Sequence, residues 1–266
     1  MSAIRLGAVE YLNARPLVYG LERDPRFTIR YDIPSQCARL LHEDAIDLGL
    51  IPSIEYLRGP RPYGILPDLA IASRGPVASV ALYTRRDPRD IRTIAMDTSS
   101  RTSVALAAVI ARRAFGIAPE PVPMAPDLEV MLAKADAALI IGDNALLLDH
   151  DAVRARKIDL GESWTEATGL PFVYAFWAGP PHRVTPGEVR ALQQARDRGT
   201  AHYAEIARDY FTARVEYQRV GEQYLRDNIQ YRLGWEEMEG LRTFYSYAAE
   251  QGLVVFDGEL RIYAED

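Results

Sequence analysis

The sequence predicts an α/β protein built from two lobes. In its first half, short apolar runs alternate with amphipathic stretches, which is the pattern of βαβ units in a largely parallel sheet. The polar stretch TRRDPRD, which contains a proline, separates this cycle from a second one of the same kind. From Thr185 onward the chain is helical and rich in tyrosine. A chain of 266 residues can bury one large core or two modest ones, so two lobes fit its length.

The first cycle starts with the apolar strand Ile4–Val9, and a helix is predicted over residues 16–21. Residues 27–33 alternate in the manner of a strand, and PSQCARLLHEDA then opens with proline and continues as a helix. IDLGLIP is typical of a short buried strand that leads into SIEYLR. The apolar runs LAIAS and VASVALYT follow, with residues 74–76 between them.

The second cycle begins with the strand RTIAM, a turn rich in Ser and Thr, and a long helix. EPVPM, DLEVMLAKA and the strand AALIIGD come next. RKIDLGESWTEATGLPF is predicted to be irregular, with Trp164 as an aromatic lid or a cover for the core, and no role is assigned to residues 162–172. VYAFWAG is a further strand. Thr185 and Glu188 then have the spacing of a capping box at the start of a helix.

We expect the second lobe to be inserted into the first, with lobe 1 formed by residues 1–84 and 179–266 and lobe 2 by residues 85–178. VASVALYT and VYAFWAG are the expected strands of a two-strand hinge, and the helical C-terminal segment is expected to pack on lobe 1. The cleft between two hinged lobes is the natural place for a ligand.

A heptad spacing of tyrosines in the C-terminal segment predicts a stripe that packs on lobe 1. The interface of a homodimer is the alternative for the same stripe. The tyrosines in question are Tyr203, Tyr210, Tyr217, Tyr224 and Tyr231.

Composition excludes several classes of protein. The 31 basic and 37 acidic residues leave a mildly negative chain, which disfavours binding to nucleic acid. No segment approaches the roughly 20 apolar residues of a membrane-spanning helix, and no secretory signal is recognisable, so we expect a cytoplasmic protein. We predict that Cys37 is a buried thiol and not a nucleophile. Phosphate-binding glycine motifs, paired cysteines and histidines at metal-ligand spacing are all missing, so no metal or cofactor is predicted.

The most informative stretch is DTSSRTSVAL, where an apolar strand meets a helix. Residues 98–103 carry five hydroxyl side chains and one guanidinium. The free N–H groups at a helix N-terminus, together with hydroxyls and an arginine, form a site suited to a carboxylate. A serine cap with an exposed arginine is the alternative, but capping requires fewer hydroxyls. We therefore predict that Ser99, Ser100, Arg101 and Thr102 bind an anion.

Other polar residues follow predicted strands, where ligands of open α/β sheets bind. Asn13 and Arg15 come after the first strand, although Asn13 could equally cap the next helix while Arg15 is solvated. Ser53 stands at another junction between a strand and a helix, where a simple cap explains it as well.

The hinge and the second lobe add further candidates. Ser73, Arg74 and Ser79 lie at or near the expected hinge. Gly142 and Asp143 end a strand of the second lobe, where glycine allows a ligand to approach the backbone closely. The start of a helix is the alternative explanation for this pair.

Five motifs, in order, resemble the chorismate dehydratase family of the futalosine route to menaquinone: VEYLNARPL, DLGLIPSIEYL, SRGPVASVALYT, DTSSRTSVAL and IIGDNAL. The resemblance covers essentially the whole chain. It implies a type II periplasmic-binding-protein fold and a carbon–oxygen lyase that removes water from chorismate, giving 3-[(1-carboxyvinyl)oxy]benzoate without a metal or organic cofactor. It also implies that Asn13 and residues 99–102 contact the substrate, with Ser53, Ser73, Ser79, Gly142 and Asp143 as secondary cleft residues.

The sequence offers no obvious general base for this elimination. Our hypothesis is that the enolpyruvyl carboxylate of the substrate takes the proton, with Asp97, His42 and Asp143 as alternatives. Two other functions stay open. The same fold could serve a binding protein for a small carboxylate, or the 1,4-dihydroxy-6-naphthoate synthase of the same pathway.

Overall fold

The first of two sheets combines four strands from residues 4–73 with one later strand from residues 172–179. The computed structural model describes residues 3–149 and 152–263. The strands of this sheet are β1 (Ile4–Val9), β2 (Phe27–Asp32), β3 (Leu48–Pro52), β4 (Gly64–Ser73) and β10 (Phe172–Gly179). Their order is β2-β1-β3-β10-β4. β1 pairs in parallel with β2 and β3, and β10 is antiparallel to both of its neighbours.

The second sheet is built from one continuous part of the chain. Its strands are β5 (Val80–Thr84), β6 (Thr93–Asp97), β7 (Glu120–Met124), β8 (Ala137–Ile141) and β9 (Arg156–Asp159). Their order is β7-β6-β8-β5-β9, and β5 is antiparallel to β8 and β9. β7 contains Pro121 and Pro123 and lies at the edge, where the missing N–H donors cost nothing. The prediction of two α/β lobes is confirmed.

Helices cover both sheets. They are α1 (Arg15–Val18), α2 (Pro34–His42), α3 (Arg101–Ala114), α4 (Leu128–Lys134), α5 (Gly142–Leu146), α6 (Leu160–Thr168), α7 (Pro186–Thr200), α8 (Tyr203–Tyr210), α9 (Gln218–Asp227) and α10 (Trp235–Glu250). Short 3-10 turns at Leu12–Ala14 and Ser53–Tyr56 follow β1 and β3. The predicted capping box of Thr185 and Glu188 is present at the start of α7. Within the described ranges, no helix is long and apolar enough to cross a membrane.

The crossings between the sheets differ from the prediction. Val80–Thr84 belongs to the second sheet and Phe172–Gly179 to the first, so lobe boundaries at 84 and 178 each put a strand in the wrong lobe. The chain crosses instead through residues 74–79 and through residues 160–171, which include α6. Both strands are buried along their whole length, so their apolar sequences do not show which sheet they join.

The segment predicted to be irregular is in fact regular. Its first residues form β9, and α6 follows, capped by Asp159, whose side chain accepts hydrogen bonds from the N–H groups of Gly161 and Glu162. α6 ends at Thr168 and is followed by its C-cap, Gly169, which has a φ of +73°. Trp164 is fully buried and donates from Nε1 to the carbonyl oxygen of Pro171 at 3.1 Å. It therefore belongs to the core and is not a lid.

The helical C-terminal segment packs on the first lobe, as predicted. α7 contacts α1 and β4, and α10 contacts β10 and also α3 of the second lobe. The tyrosine stripe is divided among α8, a 3-10 turn, α9 and the residues after α9, so the heptad spacing does not mark one continuous helix. Tyr224 and Tyr231 are buried inside the protein.

Candidate functional site

A narrow cavity of about 40 Å³ lies between the two sheets. It is found where β1, β3 and β8 reach their carboxyl ends, next to the N-terminus of α3. Its apolar walls include Val9, Ile71, Val77, Val80 and Ile141. The position agrees with the rule that ligands of α/β sheets bind beyond the carboxyl ends of strands.

All polar side chains that line this cavity are neutral. They are Tyr11, Asn13, Ser79, Ser100, Ser103 and Tyr174. Among the described residues, no Asp, Glu, His, Lys or Arg side chain takes part in the lining. An anionic ligand would therefore be held by hydroxyl and N–H donors, because the cavity contains no cation to pair with it.

The N-terminus of α3 supplies two of these hydroxyls. Ser100 is the N-cap, and its Oγ accepts a hydrogen bond from the N–H of Ser103 at 3.4 Å. The two serine Oγ atoms lie 3.0 Å apart, and both residues line the cavity. Ser103 was not among the predicted contacts, although residues three apart on a helix share a face.

The other predicted residues of this turn point elsewhere. Ser99 donates from Oγ to the Asp97 carboxylate at 2.6 Å. Thr102 is fully buried and accepts a hydrogen bond from the N–H of Ile54 at 3.1 Å. The guanidinium of Arg101 pairs with a carboxylate of the first lobe and lies outside the cavity lining. Successive helix residues are rotated by about 100°, so these hydroxyls cannot all face one cavity.

Asn13 lines the cavity, whereas Arg15 does not. Asn13 lies in the 3-10 turn after β1 and caps no helix, and its Oδ1 is buried without a hydrogen-bond partner among the described residues. The Arg15 guanidinium stacks on Tyr31, with 4.3 Å from Cζ to the ring centroid. Of this pair, only Asn13 is placed to contact a ligand.

Of the candidates predicted near the first crossing, Ser79 lines the cavity, whereas Ser73 and Arg74 do not. The Oγ of Ser79 lies 2.7 Å from the hydroxyl of Tyr224. Ser73 is buried behind the lining, with its Oγ 3.1 Å from the hydroxyl of Tyr174. Arg74 is exposed and pairs with Glu236 at 2.7 Å, so it does not contribute to the site.

The junction at Ser53 is also structural. Its Oγ donates to the carbonyl oxygen of Val173, a residue of β10, at 2.8 Å, and the side chain is fully buried. Ser53 therefore does not line the cavity, because its hydroxyl is hydrogen-bonded inside the protein.

Gly142 closes the cavity from the second lobe, and Asp143 lies next to it in the chain. Gly142 lines the cavity with a φ of +64°, and a Cβ there would lie 3.0 Å from the ring of Tyr11. Asp143 lies outside the lining; it accepts a hydrogen bond from the N–H of Leu12 at 3.3 Å and another from the hydroxyl of Tyr210. Burial raises the pKa of Asp143, and these hydrogen bonds oppose that shift.

The remaining candidate bases, Asp97 and His42, are not part of the lining. Asp97 is buried and accepts from both the N–H and the Oγ of Ser99. His42 stacks on Tyr63 with ring centroids 5.8 Å apart, and burial lowers its pKa. Within residues 3–149 and 152–263, no cluster of His, Cys, Asp and Glu has the geometry to hold a metal ion.

Three tyrosines of the site were not predicted from the sequence. Tyr11 and Tyr174 line the cavity, and Tyr224 lies directly behind Ser79. Burial raises the pKa of Tyr11 to about 12, so its hydroxyl is a neutral donor at physiological pH. Tyr224 belongs to the heptad series, but that spacing indicated packing and gave no sign of a polar contact.

Known structures share this architecture. A protein from Archaeoglobus fulgidus superposes with a TM-score of 0.75 at 15% identity, covering 95% of this chain and 99% of the other. The periplasmic aliphatic sulphonate binding protein from Escherichia coli gives 0.68 at 16% identity, covering 96% and 89%. These likenesses establish the periplasmic-binding-protein fold.

Sequence relatives are more specific. The chorismate dehydratase of Thermus thermophilus is 30% identical over 263 residues, which cover 90% of this chain and 93% of that protein. The chorismate dehydratase of Campylobacter jejuni is 32% identical over 176 residues, or 64% of each chain. A family model described as menaquinone biosynthesis matches residues 4–250. With that match over nearly its whole length, the chain belongs to the menaquinone biosynthesis family.

Proposed function

We propose that this chain is a cytoplasmic chorismate dehydratase, a hydro-lyase that converts chorismate to 3-[(1-carboxyvinyl)oxy]benzoate without a metal or organic cofactor. The observation that carries the proposal is the neutral cavity between the lobes, rich in hydroxyls and free of charged side chains among the described residues. The names of the two relatives support the same substrate.

One substrate carboxylate is bound at the N-terminus of α3. The hydroxyls of Ser100 and Ser103 face the cavity there, and the first N–H groups of the helix present the positive end of its dipole. The cavity of about 40 Å³ has room for about one water molecule, so the lobes move apart to admit chorismate. Once the substrate is bound, the apolar walls hold the cyclohexadiene ring and exclude water. Asn13 orients the reacting edge, and its unpaired Oδ1 accepts a hydrogen bond from the C4 hydroxyl.

The reaction is an elimination that passes through a carbanion. The enolpyruvyl carboxylate takes the proton from C3, and the negative charge left on C3 is delocalised toward the ring carboxylate. The C4–O bond then breaks, and the same proton is passed from the enolpyruvyl carboxylate to the departing C4 oxygen, so that water and an aromatic ring are released. Aromatisation supplies the driving force, so the protein mainly positions the substrate and stabilises the developing charge. Since the lining contains no carboxylate or imidazole within the described chain, the enolpyruvyl carboxylate of the substrate removes the proton.

Turnover of purified protein with chorismate tests this function, with the aromatic product followed by chromatography and ultraviolet absorbance. Asp97→Asn, His42→Gln and Asp143→Asn each remove one alternative base, and each variant is expected to retain turnover. Loss of activity in one variant whose circular dichroism and melting temperature are unchanged would refute proton removal by the substrate.

A binding protein for a small carboxylate is the competing function, because the fold is shared with the sulphonate binding protein. Isothermal titration with chorismate distinguishes the two functions. Tight binding without product over hours would support the binding protein and contradict the enzyme.

A further inference from the structure

The C-terminal segment reaches the candidate site through one hydroxyl. Tyr224 of α9 is 2% exposed, and its hydroxyl lies 2.7 Å from the Oγ of Ser79. The side chain of Asn13 interacts with the same hydroxyl. Ser79 and Asn13 both line the cavity, whereas Tyr224 does not. Tyr224 therefore contacts two lining residues on the side that faces away from the cavity.

The backbone of Ser79 is already held in place. Its N–H donates to the carbonyl oxygen of Val77 at 2.8 Å, and its own carbonyl oxygen accepts from the N–H of Gly142 at 2.8 Å. These two hydrogen bonds leave the side-chain torsion of Ser79 unrestrained. The hydrogen bond with the Tyr224 hydroxyl restrains that torsion.

Tyr224 also remains a neutral phenol. Burial raises its pKa well above the ordinary value, while the hydrogen bonds with Ser79 and Asn13 lower it in part. A neutral phenol can donate one hydrogen bond and accept another at the same time, so one hydroxyl can serve both neighbours.

We propose that Tyr224 is a positioning residue. Its hydroxyl orients the side chains of Ser79 and Asn13, so that Oδ1 of Asn13 is directed at the substrate. This inference rests on the proposed function for its kinetic consequences, but its structural consequence is independent of any activity.

Tyr224→Phe and Tyr231→Phe form a matched pair of variants. Tyr231 lies seven residues further along and is 4% exposed, but its buried hydroxyl has no hydrogen-bond partner within the described chain. Each substitution removes one buried hydroxyl.

Tyr224→Phe is expected to lower kcat by about 10–100-fold with KM changed by less than about threefold, because misplaced contacts mainly affect the transition state. Tyr231→Phe is expected to leave both constants unchanged. Equal losses in the two variants would overturn the proposal.

A double-mutant cycle with Ser79→Ala adds a readout that a purely structural role would not produce. If Tyr224 acts partly through Ser79, the loss caused by Tyr224→Phe becomes at least about threefold smaller in the Ser79→Ala background. Additive losses would contradict coupling between the two residues.

Crystal structures separate this inference from the proposed function. If the wild-type protein does not dehydrate chorismate, the proposed function fails, yet the effect of Tyr224 on its neighbours can still be observed. In Tyr224→Phe, the side chain of Ser79 or Asn13 is expected to adopt another rotamer. Unchanged rotamers of both residues would overturn the positioning role.

Discussion

Arg101 and Glu55 form an ion pair that joins the two lobes, with 2.5 Å between Nη1 and Oε2. The Glu55 side chain is 1% exposed and that of Arg101 is 43% exposed. Arg58, from the same lobe as Glu55, binds the other carboxylate oxygen at 3.2 Å. The guanidinium predicted to bind the substrate is therefore used to hold the lobes together.

Arg101→Ala is expected to raise KM for chorismate by about 2–5-fold with little change in kcat. A half-exposed ion pair contributes little free energy, and its loss lowers the population of the closed, binding-competent state. Steady-state kinetics measures both constants. Arg58→Ala is the control, because it removes a partner of the same carboxylate without separating the lobes, and its KM should stay at the wild-type value. A fall in kcat of more than 100-fold in Arg101→Ala would indicate direct contact with the substrate.

Gly142→Ala is expected to impair activity by at least about tenfold. The new Cβ would lie 3.0 Å from the ring of Tyr11, which belongs to the first lobe, so the lobes could not approach as closely. Gly116→Ala is the matched control. It has a similar φ of +71°, but its Cβ would meet no described atom within 4 Å.

Both alanine variants should lose a similar stability of about 1 kcal/mol, because both place a side chain in the left-handed region. Kinetic assays and thermal unfolding of the pair separate backbone strain from the contact with Tyr11. An inactive Gly116→Ala variant would show that strain alone explains the loss.

The rate constant kcat is expected to be independent of pH between about 6 and 9. The substrate carboxylates ionise near pH 4, and the pKa of Tyr11 is raised to about 12, so neither changes its charge in this range. Below about pH 5, kcat should fall as the carboxylate that acts as base is protonated. A stopped assay across the range measures the profile. A decrease between pH 7 and 5.5 would instead indicate a histidine base.

Asp47→Asn is expected to destabilise the protein by about 1–2 kcal/mol at pH 7. Burial raises the pKa of Asp47, but hydrogen bonds from Arg5 and Arg183 outweigh it and hold the pKa well below the ordinary value. The folded state therefore binds the proton less readily than the unfolded state does. The stabilisation is present above the unfolded pKa of about 3.9 and is lost as the pH falls through the folded value.

Urea unfolding at several pH values tests the Asp47 prediction. The difference between wild type and Asp47→Asn should shrink below about pH 4. Asp44→Asn is the control, because the Asp44 side chain is 57% exposed and its pair with Arg61 should contribute little at any pH. A constant difference between pH 3 and pH 7 would contradict the assigned pKa direction.

Local features of the chain were predictable because they depend on neighbours in sequence. The capping box at Thr185 and the serine cap of α3 follow from the hydrogen bonds that a helix N-terminus requires. The apolar runs identified the strands, because the apolar composition of a buried strand is visible in the local sequence. The alternation of these elements was sufficient to predict two α/β lobes.

Pairing between distant segments was beyond that local information. Val80–Thr84 and Phe172–Gly179 are apolar throughout, so only their hydrogen-bonded neighbours show which sheet each joins. Likewise, the hydroxyls of residues 98–103 are chemically alike, and the direction of α3 determines that Ser100 and Ser103 face the cavity. Tyr224 reaches Ser79 across 145 positions of sequence. Element types thus follow from short-range periodicity and capping, whereas the composition of the site depends on which remote side chains the packed lobes bring together.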